Sequence, residues 1–272
     1  MSYTAPPRLL VFDSGLGGLS VLGALRQAVP EAAITYLADD ACFPYGALAD
    51  EALIARVGEV VGGAIARLEP DAVVIACNTA STAVLPSLRA AHSTPFIGTV
   101  PAVKPAARIS RTGLVSVLGT PATVHRDYTH ALISEFAGTA QLILVGAARL
   151  ADLAETVMAG GEVADADIAA EIAPCFVEAA DGRRTDVVAL ACTHYPLLLD
   201  RLERLAPWPV TWIDPAPAIA RRTANVLAER GHTVGVGTAR ARGHVEFTSG
   251  KAPSPALLRV LTNYGLALAN VN

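Results

Sequence analysis

Short apolar runs alternate with longer stretches of helical spacing along most of the chain. Residues 8–12 form one such run, ended by Asp13-Ser14-Gly15. Residues 33–38 form a second, ended by Asp39-Asp40, and residues 71–76 a third that delivers Cys77. Residues 95–99 form a fourth, which turns out through Val100-Pro101. Brief apolar runs bounded by turn residues fit strands covered on both faces, the mark of a parallel sheet. Between them, residues 19–28, 49–68 and 82–91 carry helical spacing, with Arg56, Glu59 and Arg67 on a charged face.

A comparable series begins again at Gly113. Strands are predicted over 113–118, 141–145, 186–191 and 210–213, with helices over 128–136 and 164–179. The clearest echo is local: Cys77 follows Asp71 by the same spacing at which Cys192 follows Asp186, in each case through an apolar strand. Two similar α/β halves are therefore expected, each offering one cysteine at the carboxyl end of a strand. The tail reads as a helix over 219–229, a glycine-rich link, a short strand over 245–248 and a helix from Pro255. If the chain crosses between the halves twice, that tail packs on the first.

Composition narrows the function. A chain of 272 residues, 52% hydrophobic and 17% charged, can bury a sizeable core. The net charge of −4 gives no footprint for nucleic acid. No apolar run approaches the roughly 18–20 residues of a membrane span, and residues 1–7 do not read as a secretory signal. A cytoplasmic protein is expected. The cysteines at 42, 77, 175 and 192 include no C-x-x-C pair, and no H-x-x-x-H occurs, so neither disulfides nor a metal site is expected.

Gly15, Gly17 and Gly18 suggest a dinucleotide fingerprint, but Ser20 stands where that pattern needs glycine. The stretch reads better as a strand-to-helix turn whose amides and Ser14 face a small anion. Tyr45, in Phe43-Pro44-Tyr45-Gly46, lies at the strand edge where open α/β sheets bind ligands, or else simply packs its loop.

Cys42 and Cys175 read as buried small hydrophobes. Cys77 and Cys192 differ because both recur with hydroxyl, amide or imidazole neighbours. One thiol near a base would suggest acyl transfer. Two in mirror positions suggest that one thiolate removes a proton while the other thiol returns one to the opposite face. That is racemisation or epimerisation beside a carboxylate, and a thiol titrating near about 8.5 can reach both states. Asp13 could assist Cys77 and His194 could assist Cys192, although a helix cap and a turn histidine are the plainer roles for these two. Lys104 and Lys251 lack the setting of a pyridoxal lysine, so no cofactor is expected. Ser14, Asn78, Thr79, Thr120, Thr123 and Thr193 could supply hydrogen bonds around the substrate carboxylate.

The motifs Phe12-Asp13-Ser14-Gly15-Leu16-Gly17-Gly18, Phe43-Pro44-Tyr45-Gly46, Ala76-Cys77-Asn78-Thr79-Ala80-Ser81, Gly119-Thr120-Pro121-Ala122-Thr123 and Leu190-Ala191-Cys192-Thr193-His194-Tyr195-Pro196 span most of the chain. Together they resemble the cofactor-independent glutamate racemases of bacterial cell-wall synthesis. The resemblance implies two pseudo-symmetric parallel-sheet α/β domains with the active site in the cleft between them. The first would comprise 1–103 and 214–272, the second 104–213. It implies that Cys77 exchanges the proton of D-glutamate and Cys192 that of L-glutamate, assisted by Asp13 and His194. Ser14, Pro44, Tyr45, Gly46, Asn78, Thr79, Thr120, Thr123 and Thr193 would hold the amino acid, and the chain would pair as a homodimer. Where the family often has Ala-Cys-Pro leading to an active-site glutamate, this chain has Gly146-Ala147-Ala148-Arg149-Leu150, and Glu155 is the candidate by register. Arginine is common in the family where Cys42 stands, and 213–217 is richer in proline than usual. An aspartate racemase of the same family and a thiol-bearing binding protein are the alternatives.

Overall fold

The computed structural model describes residues 5–235, 241 and 243–269. Strands β1 (Arg8–Asp13), β2 (Ala33–Ala38), β3 (Ala72–Ile75) and β4 (Phe96–Gly98) pair in parallel in the order β2-β1-β3-β4. Their side chains alternate between two cores, as the two-residue period of a strand demands. Leu9 and Val11 of β1 join Val74 of β3 against α1 (Leu19–Ala28). Leu10, Phe12, Val73 and Ile75 point the other way, onto α2 (Asp50–Leu68) and α3 (Asn78–Ala91). Each such fully buried aliphatic side chain contributes about 1.5–3 kcal/mol. The apolar runs therefore decide the sheet and leave the polar residues at the strand ends.

The second sheet repeats the scheme. α4 (Val103–Ile109) leads into β5 (Leu114–Gly119), then α5 (Pro121–His125), α6 (Asp127–Phe136) and β6 (Gln141–Gly146). α7 (Leu150–Met158), α8 (Asp165–Ile172), β7 (Val187–Ala191), α9 (Leu199–Leu205) and β8 (Thr211–Ile213) follow. The strand order is β6-β5-β7-β8, all parallel. This matches β2-β1-β3-β4 strand for strand, so β3 and β7, which precede the two cysteines, occupy equivalent places.

The chain then returns to the first sheet. α10 (Ala216–Glu229) packs against α1, β9 (Gly243–Phe247) pairs with β2, and α11 (Pro255–Asn263) leads to β10 (Leu266–Leu268) beside β9. The tail thus packs on the first half, as the two crossings require. The glycine-rich link lies partly outside the described residues. Among the described residues, no helix is long and apolar enough to cross a membrane.

The helix expected over 164–179 is shorter. It ends at Ile172, and Ala173–Cys175 is a single 3-10 turn, because Pro174 has no N–H to continue the ladder. Thr185 N–H and Val177 O then tie the returning chain, and Glu178 bridges Arg184. The helix expected from Thr82 begins at Asn78, which puts Cys77 directly at its amino end.

Candidate active site

Asp13 ends β1 and is wholly buried. Its Oδ2 accepts N–H groups from Gly15 (3.2 Å) and Gly18 (3.1 Å), so the glycine turn folds back over the carboxylate. Its Oδ1 is buried with no hydrogen-bond partner. Burial pushes the Asp13 carboxyl above its ordinary value, and these two amides only partly offset it. Asp13 does not cap α1, whose cap position is Gly18.

Cys77 stands between β3 and α3, with Ser14 Oγ 3.7 Å from its sulfur. Burial raises the thiol pKa and the charge of Asp13 raises it further, while the Ala80 amide at the start of α3 and Ser14 work the other way. A helix amino end favours an adjacent anion. The site therefore keeps Cys77 protonated at rest and offers donors when it ionises.

Cys192 follows β7, and its sulfur lies 3.7 Å from His194 Nδ1. His194 Nε2 lies 2.8 Å from Glu155 Oε1 on α7. The same oxygen accepts the Leu16 N–H at 2.5 Å, so one carboxylate joins the imidazole of the second half to the glycine turn of the first. Burial alone would lower the His194 pKa, but hydrogen bonds with Cys192 and Glu155 outweigh it and hold the imidazole well above its ordinary value. At neutral pH His194 is thus an imidazolium beside a sulfur, with Phe43 packed on it at 5.6 Å between ring centroids.

Hydroxyls close the seam between the halves. Thr79 Oγ1 lies 3.1 Å from that of Thr120 and 3.2 Å from that of Thr123. Thr120 caps α5 by accepting the Thr123 N–H at 3.2 Å. Thr193 is buried, and Ser20 Oγ donates to its carbonyl at 2.9 Å. Asn78 is buried with Nδ2 unpartnered and Oδ1 3.5 Å from Thr99 Oγ1. The charge of Cys192 is felt at Cys77, where it too raises the thiol pKa.

Pro44 and Gly46 are exposed, and Tyr45–Ala47 is one 3-10 turn. Tyr45 itself is buried, and its hydroxyl donates to Asp39 at 2.6 Å. That is the loop-packing role left open for it by the sequence. No sequence motif marks Asp39, Arg56 or Thr248 as a group: Asp39 belongs to the paired aspartates after the second apolar run, and Arg56 reads as part of a charged helix face. Cys175 is buried in a core of the second half, its thiol pushed up to about 12 by burial, and half-buried Cys42 packs against the α2/α3 core of the first half.

Two α/β halves with matching strand orders, each carrying a cysteine with a polar partner after an equivalent strand, define the class of fold to which the chain belongs. Residues 19–223 match the family model described as Asp/Glu/hydantoin racemase. The chain is 50% identical to the glutamate racemase of Brucella canis over 264 residues, 96% of this chain and 94% of that protein. It superposes with a TM-score of 0.86 on Escherichia coli glutamate racemase, solved with L-glutamate and the activator UDP-MurNAc-Ala, at 37% identity and 96% coverage of both chains. The glutamate racemase of Aquifex pyrophilus gives a TM-score of 0.68 at 28% identity, covering 94% of each. The chain belongs to the Asp/Glu/hydantoin racemase family.

Proposed function

We propose that the chain is a glutamate racemase in which Cys77 and Cys192 are opposed acid–base groups. In one direction a Cys192 thiolate takes the Cα proton of L-glutamate, forming its S–H bond as the C–H bond breaks. The Cys77 thiol then gives its proton to the opposite face of the carbanion and is left as thiolate. D-glutamate leaves, the two sulfurs have exchanged states, and the reverse reaction can run. The reading is carried by one observation: the cysteines follow equivalent strands, β3 and β7, and each has its own polar partner.

Asp13, buried with one unpartnered oxygen, assists Cys77. His194 assists Cys192, because its Nδ1–H can be donated to the sulfur when the sulfur is charged, and Glu155 fixes the ring from behind. Ser14, Asn78, Thr79, Thr120, Thr123, Thr193 and the Pro44-Tyr45-Gly46 turn hold the carboxylates and the ammonium group. Buried donors already oriented toward developing charge stabilise a carbanion without a pyridoxal ring. The product would supply D-glutamate for peptidoglycan in the cytoplasm. The working unit would be a homodimer whose subunits divide into 1–103 with 214–272, and 104–213.

The test is incubation of the purified chain with L- and with D-glutamate in D₂O, without pyridoxal phosphate. Interconversion of the enantiomers with deuterium entering Cα is expected from both sides. Absence of both interconversion and wash-in overturns the racemase reading, and faster turnover of aspartate moves the substrate to aspartate. Light scattering at micromolar concentration checks the dimer.

A further inference from the structure

Asp39 directly follows β2, and its side chain is wholly buried. Its hydrogen bonds go to neither thiol, and four donor groups converge on it. Oδ1 accepts Arg56 Nη2 at 2.5 Å and Thr248 Oγ1 at 2.6 Å. Oδ2 accepts Arg56 Nε at 2.9 Å and the Tyr45 hydroxyl at 2.6 Å. Burial would raise the carboxyl pKa, but the hydrogen bonds from Arg56, Thr248 and Tyr45 outweigh it and hold it below the ordinary 3.8. The carboxylate is therefore charged and fully satisfied, and a bidentate guanidinium fixes its plane.

The donors come from three distant parts of the first half. Arg56 lies on α2, Thr248 stands just past β9, and Tyr45 opens the turn that carries Gly46. That turn packs on α3, which opens with Asn78 and Thr79, and on α5, which carries Thr123 and is capped by Thr120. Its internal bonds run from Ala47 N to Pro44 O and from Leu48 N to Tyr45 O, so the amides of Tyr45 and Gly46 are not used by the turn. A side chain at Gly46 would meet open space. Phe43, three residues before Gly46, packs against the His194 ring.

We propose that Asp39, clamped by Arg56 and Thr248, is a positioning residue that sets the height of the Tyr45–Gly46 turn over the two thiols and so selects substrate length, glutamate over aspartate. The inference rests on the racemase reading. Glutamate and aspartate share the groups around Cα and differ by one methylene in the distance to the side-chain carboxylate. A turn fixed from behind by a charged clamp discriminates that distance, whereas a yielding turn follows the shorter substrate inward.

Initial rates on L-glutamate and L-aspartate test this in wild type, Arg56→Ala, Arg56→Lys, Tyr45→Phe and the Arg56→Ala/Tyr45→Phe pair. Arg56→Ala is expected to raise KM for glutamate about tenfold, with kcat changed by less than about threefold. The preference for glutamate over aspartate in kcat/KM should narrow by about tenfold, and Arg56→Lys should recover part of it. The paired variant should show less than the product of the single effects, because both changes act on one carboxylate. Should Arg56→Ala fail to fold, Thr248→Val removes a single donor and carries the same test at about threefold in KM. A folded variant with unchanged KM and preference overturns the clamp. So does a fall in kcat that tracks lost thermal stability with preference intact. Active wild type with unshifted variants overturns the clamp alone, whereas wild type inactive on both amino acids overturns the racemase reading and the clamp with it.

Discussion

Cys77 and Asp13 share a dry corner in which burial drives both the thiol and the carboxyl toward their protonated forms, with the charge of Asp13 adding to it at the thiol and that of Glu155 at the carboxyl. Replacing Cys77 or Cys192 by serine leaves a hydroxyl far too weak an acid for the exchange. Each change should cut racemisation by about 10²–10⁴-fold, measured by circular dichroism of the glutamate enantiomers. Asp13 yields a second prediction, on stability. Its folded pKa lies above the unfolded one, so the native state holds more protons in that window, and stability falls as pH rises through it. Above the window the cost of the buried charge persists. Asp13→Asn keeps an oxygen for the Gly15 and Gly18 amides and removes the charge. Its melting temperature at pH 7 should exceed that of wild type, with a flatter dependence between pH 4 and 8, while turnover falls. At this scale the sequence was informative where a pattern recurred, as with Cys77 and Cys192. It was silent on Arg56, which looks like any solvated helix residue, and on Thr248, which reaches Asp39 only through the folded tail.

The glycine turn between β1 and α1 works as an element rather than as single residues. It wraps Asp13 and also leaves room for groups from the opposite half. A methyl group on Gly17 would run into the His194 ring and lie 2.7 Å from Thr193 Oγ1, and one on Gly15 would run into Glu155. Gly17→Ala should therefore fold, as judged by far-ultraviolet circular dichroism, yet lose at least about tenfold in kcat through displacement of His194. The strands of both sheets were legible because covered strands are written as continuous apolar runs. Other elements were not. α7, which carries Glu155, is a nine-residue helix with no side-chain cap, and β10 is three residues at a sheet edge. β10 is too short to impose a period, and α7 lacks a cap residue to mark its start. The helix read through Cys175 failed for a local reason, since Pro174 stops it within an otherwise suitable apolar stretch.

Across the whole molecule, the halves meet through few but specific polar contacts. Glu155 accepts the Leu16 amide, Ser20 reaches the Thr193 carbonyl, Thr79 meets Thr120 and Thr123, and Arg126 pairs with Asp50 at 2.7 Å. Because Glu155 serves both this seam and His194, electrostatics and closure are linked. Glu155→Gln removes one of the groups that raise the His194 pKa. The alkaline limb of kcat/KM, where a protonated His194 is lost, should move to lower pH in this variant, and a pH–rate profile checks it. An unmoved limb would assign that limb to another group. The duplication of strand order was readable from the repeated aspartate-to-cysteine spacing. The seam was not, because its partners are separated by up to 173 positions in the chain.

The path of the chain carries a consequence for how such a gene can be cut. Strands β5 to β8 pair only with one another among the described residues, and the outgoing segment 97–105 and returning segment 213–219 line a common cavity of about 520 Å³. The four-stranded half is in effect a cassette spliced between two neighbouring points of the six-stranded one. Deleting its codons and joining the flanks would leave every pairing of the larger sheet intact, together with Asp13, Ser14, Cys77 and the Asp39 clamp. Expressed alone, that remnant would be a protein with one hand, and the excised cassette would carry the other.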